Sequence, residues 1–222
     1  MWNNYFYNIQ KKYSMRISSK KPLVIRLDGK EVTRNKNINL FDCSDNGFLD
    51  ALKKTASFFT QKYSCYAIFG SDEISFIFPS VDILLPDLDS DKTTLSNEIV
   101  SVFSQYFFQY FNNFDKHRIL FWHAKCFSIP NEKIVSYVKY RSKSIENVLT
   151  TYFLIRNGIT FENDNIENRK KKCESVPSYS TLSNHIAGFL YLNGKEISLN
   201  DFLNGSVIYT ESDNNDAFSN LM

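Results

Sequence analysis

Apolar and polar positions along this 222-residue chain alternate with two periods, which divide it into short strands and longer amphipathic helices. Trp2, Tyr5, Phe6 and Ile9 recur at helical spacing and predict a short helix over 2–13. Pro22 opens a strand in which Leu23, Ile25 and Leu27 point one way and Val24, Arg26 and Asp28 the other. One face is therefore apolar, and the other carries charge above an open cleft. Residues 29–42 have no period and read as a loop lining that cleft. Ser44 or Asp45 can cap the next helix, because a short side-chain oxygen accepts the orphan N–H groups of a first turn. Its stripe is Phe48, Leu49, Leu52, Ala56 and Phe59, running to Tyr63. Two apolar segments, 64–70 and 73–78, then read as a tight β-hairpin around Gly70-Ser71.

Prolines and aspartates over 79–91 predict an exposed connection. A helix over 94–112 follows, with Leu95, Ile99, Val102, Phe103, Tyr106 and Tyr110 as its stripe. Residues 119–129 read as a strand that Pro130 ends, and proline suits the helix start that comes next. Ile134, Val138, Arg141, Ile145 and Leu149 place 131–156 in one long helix. Leu182, Ile186, Phe189 and Leu190 suggest a short helix before a turn at Asn193-Gly194. Residues 201–209 form a small closing element, and 211–222 read as a disordered tail. The order contains β-α-β-β-α-β, the split unit of a ferredoxin-like sheet. The expected fold is thus α+β, a polymerase palm made of an antiparallel sheet with helices on one face. The palm would span 1–160, with 161–222 a helical or irregular extension packed on the same domain.

Composition narrows this little. Twenty Phe and 13 Tyr against seven Gly and five Pro predict a real core. A net charge of +2 neither requires nor excludes nucleic acid. The run Arg169-Lys170-Lys171-Lys172 reads first as a solvated loop or frayed helix, with a nucleic-acid contact as the alternative. Four scattered cysteines without C-x-x-C spacing argue for reduced intracellular thiols, not zinc or disulfides. No secretory pattern opens the chain, and no stretch approaches the ~20 apolar residues of a membrane span. The expectation is a cytoplasmic protein with no membrane partner.

The chemistry concentrates where strands end. Asp72 and Glu73 sit at the hairpin tip, where carboxylates are costly unless they bind something. Asp28 ends the earlier strand. Such acids can converge on one divalent cation, or on two, in the oxygen-only setting that Mg²⁺ prefers. Parity sends Glu73 and Ser75 to the charged face, but Asp72 lies in the turn, where parity does not decide. Taken singly, a strand-ending Asp or a turn Ser-Asp-Glu is commonplace; the signal is their order and spacing together. His123, in an aromatic strand, reads as a hydrogen-bonded structural histidine. His117 and His185 have no partner at ligand spacing, no Gly-rich phosphate loop is present, and Arg141 reads equally as a phosphate contact or an exposed helical arginine.

Arg26-Leu27-Asp28-Gly29-Lys30 and Gly70-Ser71-Asp72-Glu73-Ile74-Ser75-Phe76 resemble the two signature motifs of the tRNA-histidine guanylyltransferases, the family that includes the Thg1-like reverse (3′–5′) polymerases. Lys125-Cys126-Phe127-Ser128-Ile129-Pro130 and Tyr140-Arg141 fall where that family has a later strand, proline and helix. Gly205-Ser206-Val207-Ile208 is similar to its C-terminal end. The resemblance implies that Asp28 and Asp72 hold two Mg²⁺, with the Gly29 carbonyl assisting and Glu73 close by. Gly29, Lys30, Glu31, Val32 and Thr33 would then line the phosphates, backbone N–H groups foremost. Lys30 would add charge and Ser71 a hydroxyl. The implied activity adds a nucleotide, G being expected, to the 5′ end of a tRNA or other RNA. GTP, and also ATP, would be substrates, and the assembly a homo-oligomer, a tetramer.

The chain also departs from the family pattern. Thr33 stands for a histidine, Asp42 and Asn97 for lysines, and Trp122-His123-Ala124-Lys125 for Phe-Asp-Ala-Arg. Glu146-Asn147-Val148 replaces a His-Ile-Asn motif, and Asp45 is kept. These changes point to a divergent member. They leave two alternatives, a catalytically weakened nucleotide- or RNA-binding relative and a palm that cyclises nucleotides.

Overall fold

The strand β1 (Leu23–Lys30) lies inside an antiparallel sheet because both its faces find cover. The computed structural model describes residues 5–8, 21–30, 32, 38–79, 92–111 and 120–205. In it, β1 pairs with β3 (Glu73–Phe78) on one side and β4 (Phe121–Ser128) on the other. The second hairpin strand, β2 (Tyr66–Gly70), pairs with β3. The four strands of the split unit thus stand side by side in the order β4-β1-β3-β2. Two helices connect them, α1 (Phe48–Tyr63) and α2 (Lys92–Tyr110).

Both connecting helices lie on the face formed by Leu23, Ile25 and Leu27, as the alternation in β1 requires. Phe59 of α1 stacks on Phe76 of β3 with ring centroids 4.7 Å apart, and Phe103 of α2 meets both rings at 6.0 Å. Trp122 of β4 completes this layer against Phe103 and Phe107. Such edge-to-face and offset pairs add to the gain from burying large apolar rings. The α+β palm is therefore the fold observed.

The opposite face is not left wholly open. A long helix, α3 (Ile134–Arg156), crosses it after a single 3₁₀ turn that starts beyond Pro130. Tyr137 packs on Phe127 of β4, and Ile145 lies over Gly70. A Cβ on Gly70 would stand 2.6 Å from Ile145 Cγ2, so glycine at the hairpin end sets how closely α3 approaches.

The extension is partly helical, as expected, and it also lengthens the sheet. The basic run forms α4 (Ile166–Glu174), a true helix capped by Asn165, which covers a small second core of Phe153, Leu154, Cys173, Tyr179 and Ile186. Phe189 and Leu190 do not continue a helix: α5 (Ser183–Ile186) stops short, and β5 (Phe189–Leu192) pairs antiparallel with β2. A turn at Asn193-Gly194, with φ of 50° and 78°, leads back into β6 (Lys195–Ile197). The described chain closes with α6 (Leu199–Leu203).

The start of α1 differs from the expected cap. Gly47 is the N-cap and offers no side chain; the Asp42 carbonyl accepts the N–H groups of Leu49 and Asp50, while Asp45 pairs with Lys54. Of the expected N-terminal helix only 5–8 are described, and they are helical. The 80–91 connection, Glu31, Thr33–Asn37 and 206–222 lie outside the described residues. No described helix is long and apolar enough to cross a membrane.

Candidate active site

Antiparallel register brings the sequence's acids to one end of the sheet. Asp28 stands directly opposite Glu73 across β1 and β3, and directly opposite His123 across β1 and β4. Directly opposed residues share a face, so these three side chains stand on the α3 side. The hairpin turn is tied to β1 by the Gly29 N–H, which donates to the Asp72 carbonyl at 2.7 Å. Ser71, in the left-handed region at φ 53°, makes the corner and is buried. Asp28 and Asp72 are half-buried. Gly29 also has a packing reason, since a Cβ there would meet Val32 Cγ2 at 2.6 Å.

One partner of these acids was not foreseen. Arg141 of α3, only 2% exposed, forms an ion pair with Glu73, itself 8% exposed. Burial works against the guanidinium's charge, but the adjacent Glu73 carboxylate outweighs it and holds the pKa above its ordinary value. One turn earlier, Tyr137 shares a 3.0 Å hydrogen bond with Ser75. Burial raises the Tyr137 pKa despite the nearby Arg141 charge, so the phenol keeps its proton. The sequence places Arg141 in a helical stripe and leaves it as a phosphate contact or an exposed arginine; the exposed reading is wrong, because α3 packs it at 2% exposure against Glu73.

Several buried polar atoms of this site have no hydrogen-bond partner among the described residues: Glu73 Oε1, Ser71 Oγ, Arg141 Nε and Arg26 Nε. Buried polar groups are normally satisfied by protein or by water, and these four lie on β1, the hairpin turn, β3 and α3 around the Asp28–Glu73 pair. Among the described residues no three His, Cys, Asp or Glu side chains already gather into a metal cage. The carboxylates of Asp28, Asp72 and Glu73 and the Gly29 carbonyl offer oxygen ligands of the kind a hard cation with open positions takes.

The family model of tRNAHis guanylyltransferase (Thg1) matches residues 4–140. The chain belongs to the Thg1 family. Solved structures agree on the fold. A bacterial tRNA(His) guanylyltransferase (Thg1)-like protein in complex with GTP superposes with a TM-score of 0.54 at 16% identity, over 86% of this chain and 83% of that one. A bacterial Thg1-like protein in complex with ATP gives 0.57 at 13%, over 86% of each. The tRNA(His) guanylyltransferase from Saccharomyces cerevisiae gives 0.52 at 18%, over 95% of this chain and 99% of that one. No curated protein matches the sequence.

Within this Thg1 chain, the other residues that the sequence singles out fall as follows. Lys30 is exposed at the end of β1, opposite Phe121. Val32 turns its side chain into the core, and its N–H closes a 3.4 Å turn onto the Gly29 carbonyl. Glu31 and Thr33 lie outside the described residues. His123 is read from the sequence as a hydrogen-bonded structural histidine. It is exposed beside Asp28, because strand alternation sends Trp122 to the core and its neighbour out. Lys125 is exposed opposite Arg26 on the same face.

The departures from the family pattern also find places. Asp42, where the resemblance leads one to expect lysine, holds the start of α1 and accepts from Ser44. Asn97 is exposed on α2. Glu146 and Asn147 line a groove of about 1,050 Å³ on the side of α3 turned away from the sheet, together with Tyr7, Lys139, Tyr140 and Lys143. The basic run of α4 is mostly consumed within the chain: Arg169 donates to Thr151 and lies over Phe161, Lys170 pairs with Glu146, and Lys172 pairs with Asp164. The helix reading of that run holds, and the loop reading does not.

Proposed function

We propose that this chain is a magnesium-dependent nucleotidyltransferase that adds G to the 5′ end of a tRNA or other RNA, growing it in the 3′–5′ direction. The observation that carries the reading is the placement of Asp28 against Glu73, with Asp72 tethered to β1 by Gly29. Asp28 and Asp72, with the Gly29 carbonyl and Glu73 Oε1, would hold two Mg²⁺. When bound, the ions neutralise the triphosphate and lower the pKa of the attacking oxygen. These few protein oxygens would leave positions for phosphate oxygens of GTP or ATP, which would tie metal loading to substrate binding.

The protein's own groups bind and orient. Lys30 at the strand end and the Ser71 hydroxyl would contact phosphate, and Lys125 and Arg26 add positive charge along the α3 face of β1 and β4. Arg-phosphate contacts supply direction, whereas a lysine acts as a point charge. The groove behind α3 combines Lys139, Lys143 and Lys170 with the rings of Tyr7 and Tyr140. Glu146, which pairs with Lys143 and Lys170, and Glu167 also line it. Cations interleaved with aromatic faces suit an RNA strand, which supports an RNA partner over a free nucleotide acceptor.

The exchange of a family lysine for Asp42 favours one other reading, a relative that binds nucleotide and RNA but turns over slowly or not at all. Incubation with labelled GTP, ATP, Mg²⁺ and a 5′-monophosphate tRNA, followed by mapping of the label, separates the two. Label at the RNA 5′ end supports transfer; saturable GTP binding with no covalent label supports the binder.

A further inference from the structure

If Asp28, Asp72 and Glu73 form the metal-holding end of the sheet, a guanidinium buried among them needs a reason, because a cation beside a cation site is unfavourable unless it does something for the ligands. We propose that Arg141 is a positioning residue of this site: it grips one oxygen of Glu73 and so presents the other to the metal. The inference rests on the site assignment above and goes beyond it.

The contact itself is one-sided. A guanidinium and a carboxylate can meet through two parallel bonds, the stronger and more specific arrangement. Here one Arg141 Nη binds Glu73 Oε2, while Glu73 Oε1 and Arg141 Nε stay buried without a partner among the described residues. The carboxylate is thus held by one oxygen and leaves its second directed elsewhere. Stability alone is a poor explanation, since a buried ion pair is often no better than two well-packed apolar side chains.

The helix is fixed on both sides of the arginine. Tyr137, Arg141 and Ile145 are spaced i, i+4, i+8, which puts them in a row on α3. Tyr137 meets Ser75, Arg141 meets Glu73, and Ile145 lies on Gly70. Ser75 and Glu73 are same-face neighbours on β3, and Gly70 is the β2 partner of Glu73. A hydrogen bond on one side and a close packing contact on the other therefore set the height and rotation of Arg141. That is how a side chain outside the metal's own ligands orients one of them, an arrangement whose loss typically costs about 10–100-fold in metal affinity.

The test is Mn²⁺ binding, read by electron paramagnetic resonance with and without GTP, on the full chain. Arg141→Met should weaken Mn²⁺ about 10–100-fold. Glu73→Gln should do the same, and Arg141→Met combined with Glu73→Gln should be no weaker than Glu73→Gln alone. Arg141→Lys, which keeps the charge, should recover part of the loss. Near-wild-type Mn²⁺ affinity in Arg141→Met overturns the proposal, and so does a loss of equal size in both Glu73 backgrounds, which would mean that Arg141 acts without Glu73. The double variant buries no unpaired charge and checks folding by circular dichroism. Should Arg141→Met alone not fold, the same cycle is run with Arg141→Lys, whose loss must again vanish in Glu73→Gln. If the wild type binds no Mn²⁺ with GTP present, the site assignment falls and takes this proposal with it.

Discussion

Asp28 and Glu73 face each other across two adjacent antiparallel strands, and among the described residues only Glu73 is paired with a cation from the protein. Glu73 is answered by Arg141, whereas Asp28 has Glu73 on one side and the exposed imidazole of His123 on the other. Like charges set directly opposite on neighbouring strands destabilise a sheet by roughly 0.2–1 kcal/mol. Asp28→Asn should therefore unfold at an equal or higher temperature than the wild type when Mg²⁺ is absent. Added Mg²⁺ and GTP should raise the wild-type melting temperature and leave the variant unmoved. A variant that melts well below wild type without metal would show that the Asp28 charge is answered within the protein.

The Ser75–Tyr137 bond offers a second test. Both groups are buried, so Tyr137→Phe leaves the Ser75 hydroxyl without its partner and should cost about 1–3 kcal/mol. Replacing both, Tyr137→Phe with Ser75→Ala, should restore most of that loss, because no polar group is then left unsatisfied. Urea unfolding of the three variants checks the pattern, and an additive loss in the double variant contradicts it.

Gly70 predicts a packing effect. Gly70→Ala pushes a methyl against Ile145 and the Gly188 backbone, and overpacking of this kind costs about 1–3 kcal/mol. The same change should reduce Mn²⁺ affinity, since Ile145 and Arg141 ride on one helix. Wild-type unfolding together with wild-type metal binding would show that α3 shifts freely over the hairpin.

The groove behind α3 predicts a separation of binding functions. Lys139→Glu combined with Lys143→Glu should weaken RNA binding and flatten its salt dependence, by a slope of about one for each phosphate no longer neutralised. GTP affinity should be unchanged, because the groove lies on the side of α3 away from the acids. Lys172→Ala, by contrast, breaks an ion pair with Asp164 within the chain and should leave RNA affinity alone. An equal weakening of RNA binding in Lys172→Ala would point to α4 as the contact.

Much of this molecule is legible in its sequence where periodicity is strict. Leu23, Ile25 and Leu27 alternate so regularly that the strand and its buried face follow, and the two acids at the hairpin tip announce themselves by cost. The rest is hidden for physical reasons. Phe189 to Leu192 is a four-residue apolar run, too short for its period to tell strand from helix. Gly47 has no side chain with which to signal a cap; the cap comes from the backbone of Asp42. His123 reads as structural because its strand is aromatic, although alternation sends it to the exposed face, away from Trp122. The Arg141–Glu73 pair joins residues from a helix and a strand far apart in the chain, and nothing local in either segment records it.

In the proposed reaction, Asp28 and Asp72 work together on a triphosphate at the end of this sheet. The decisive experiment is Mg²⁺-dependent transfer of labelled GTP to a 5′-monophosphate RNA, measured for the wild type, Asp28→Ala and Asp72→Ala, with folding verified for each. The wild type should label the RNA 5′ end, and both variants should lose that labelling while keeping the native circular dichroism spectrum. Undiminished labelling by either folded variant would contradict a joint role for the two aspartates.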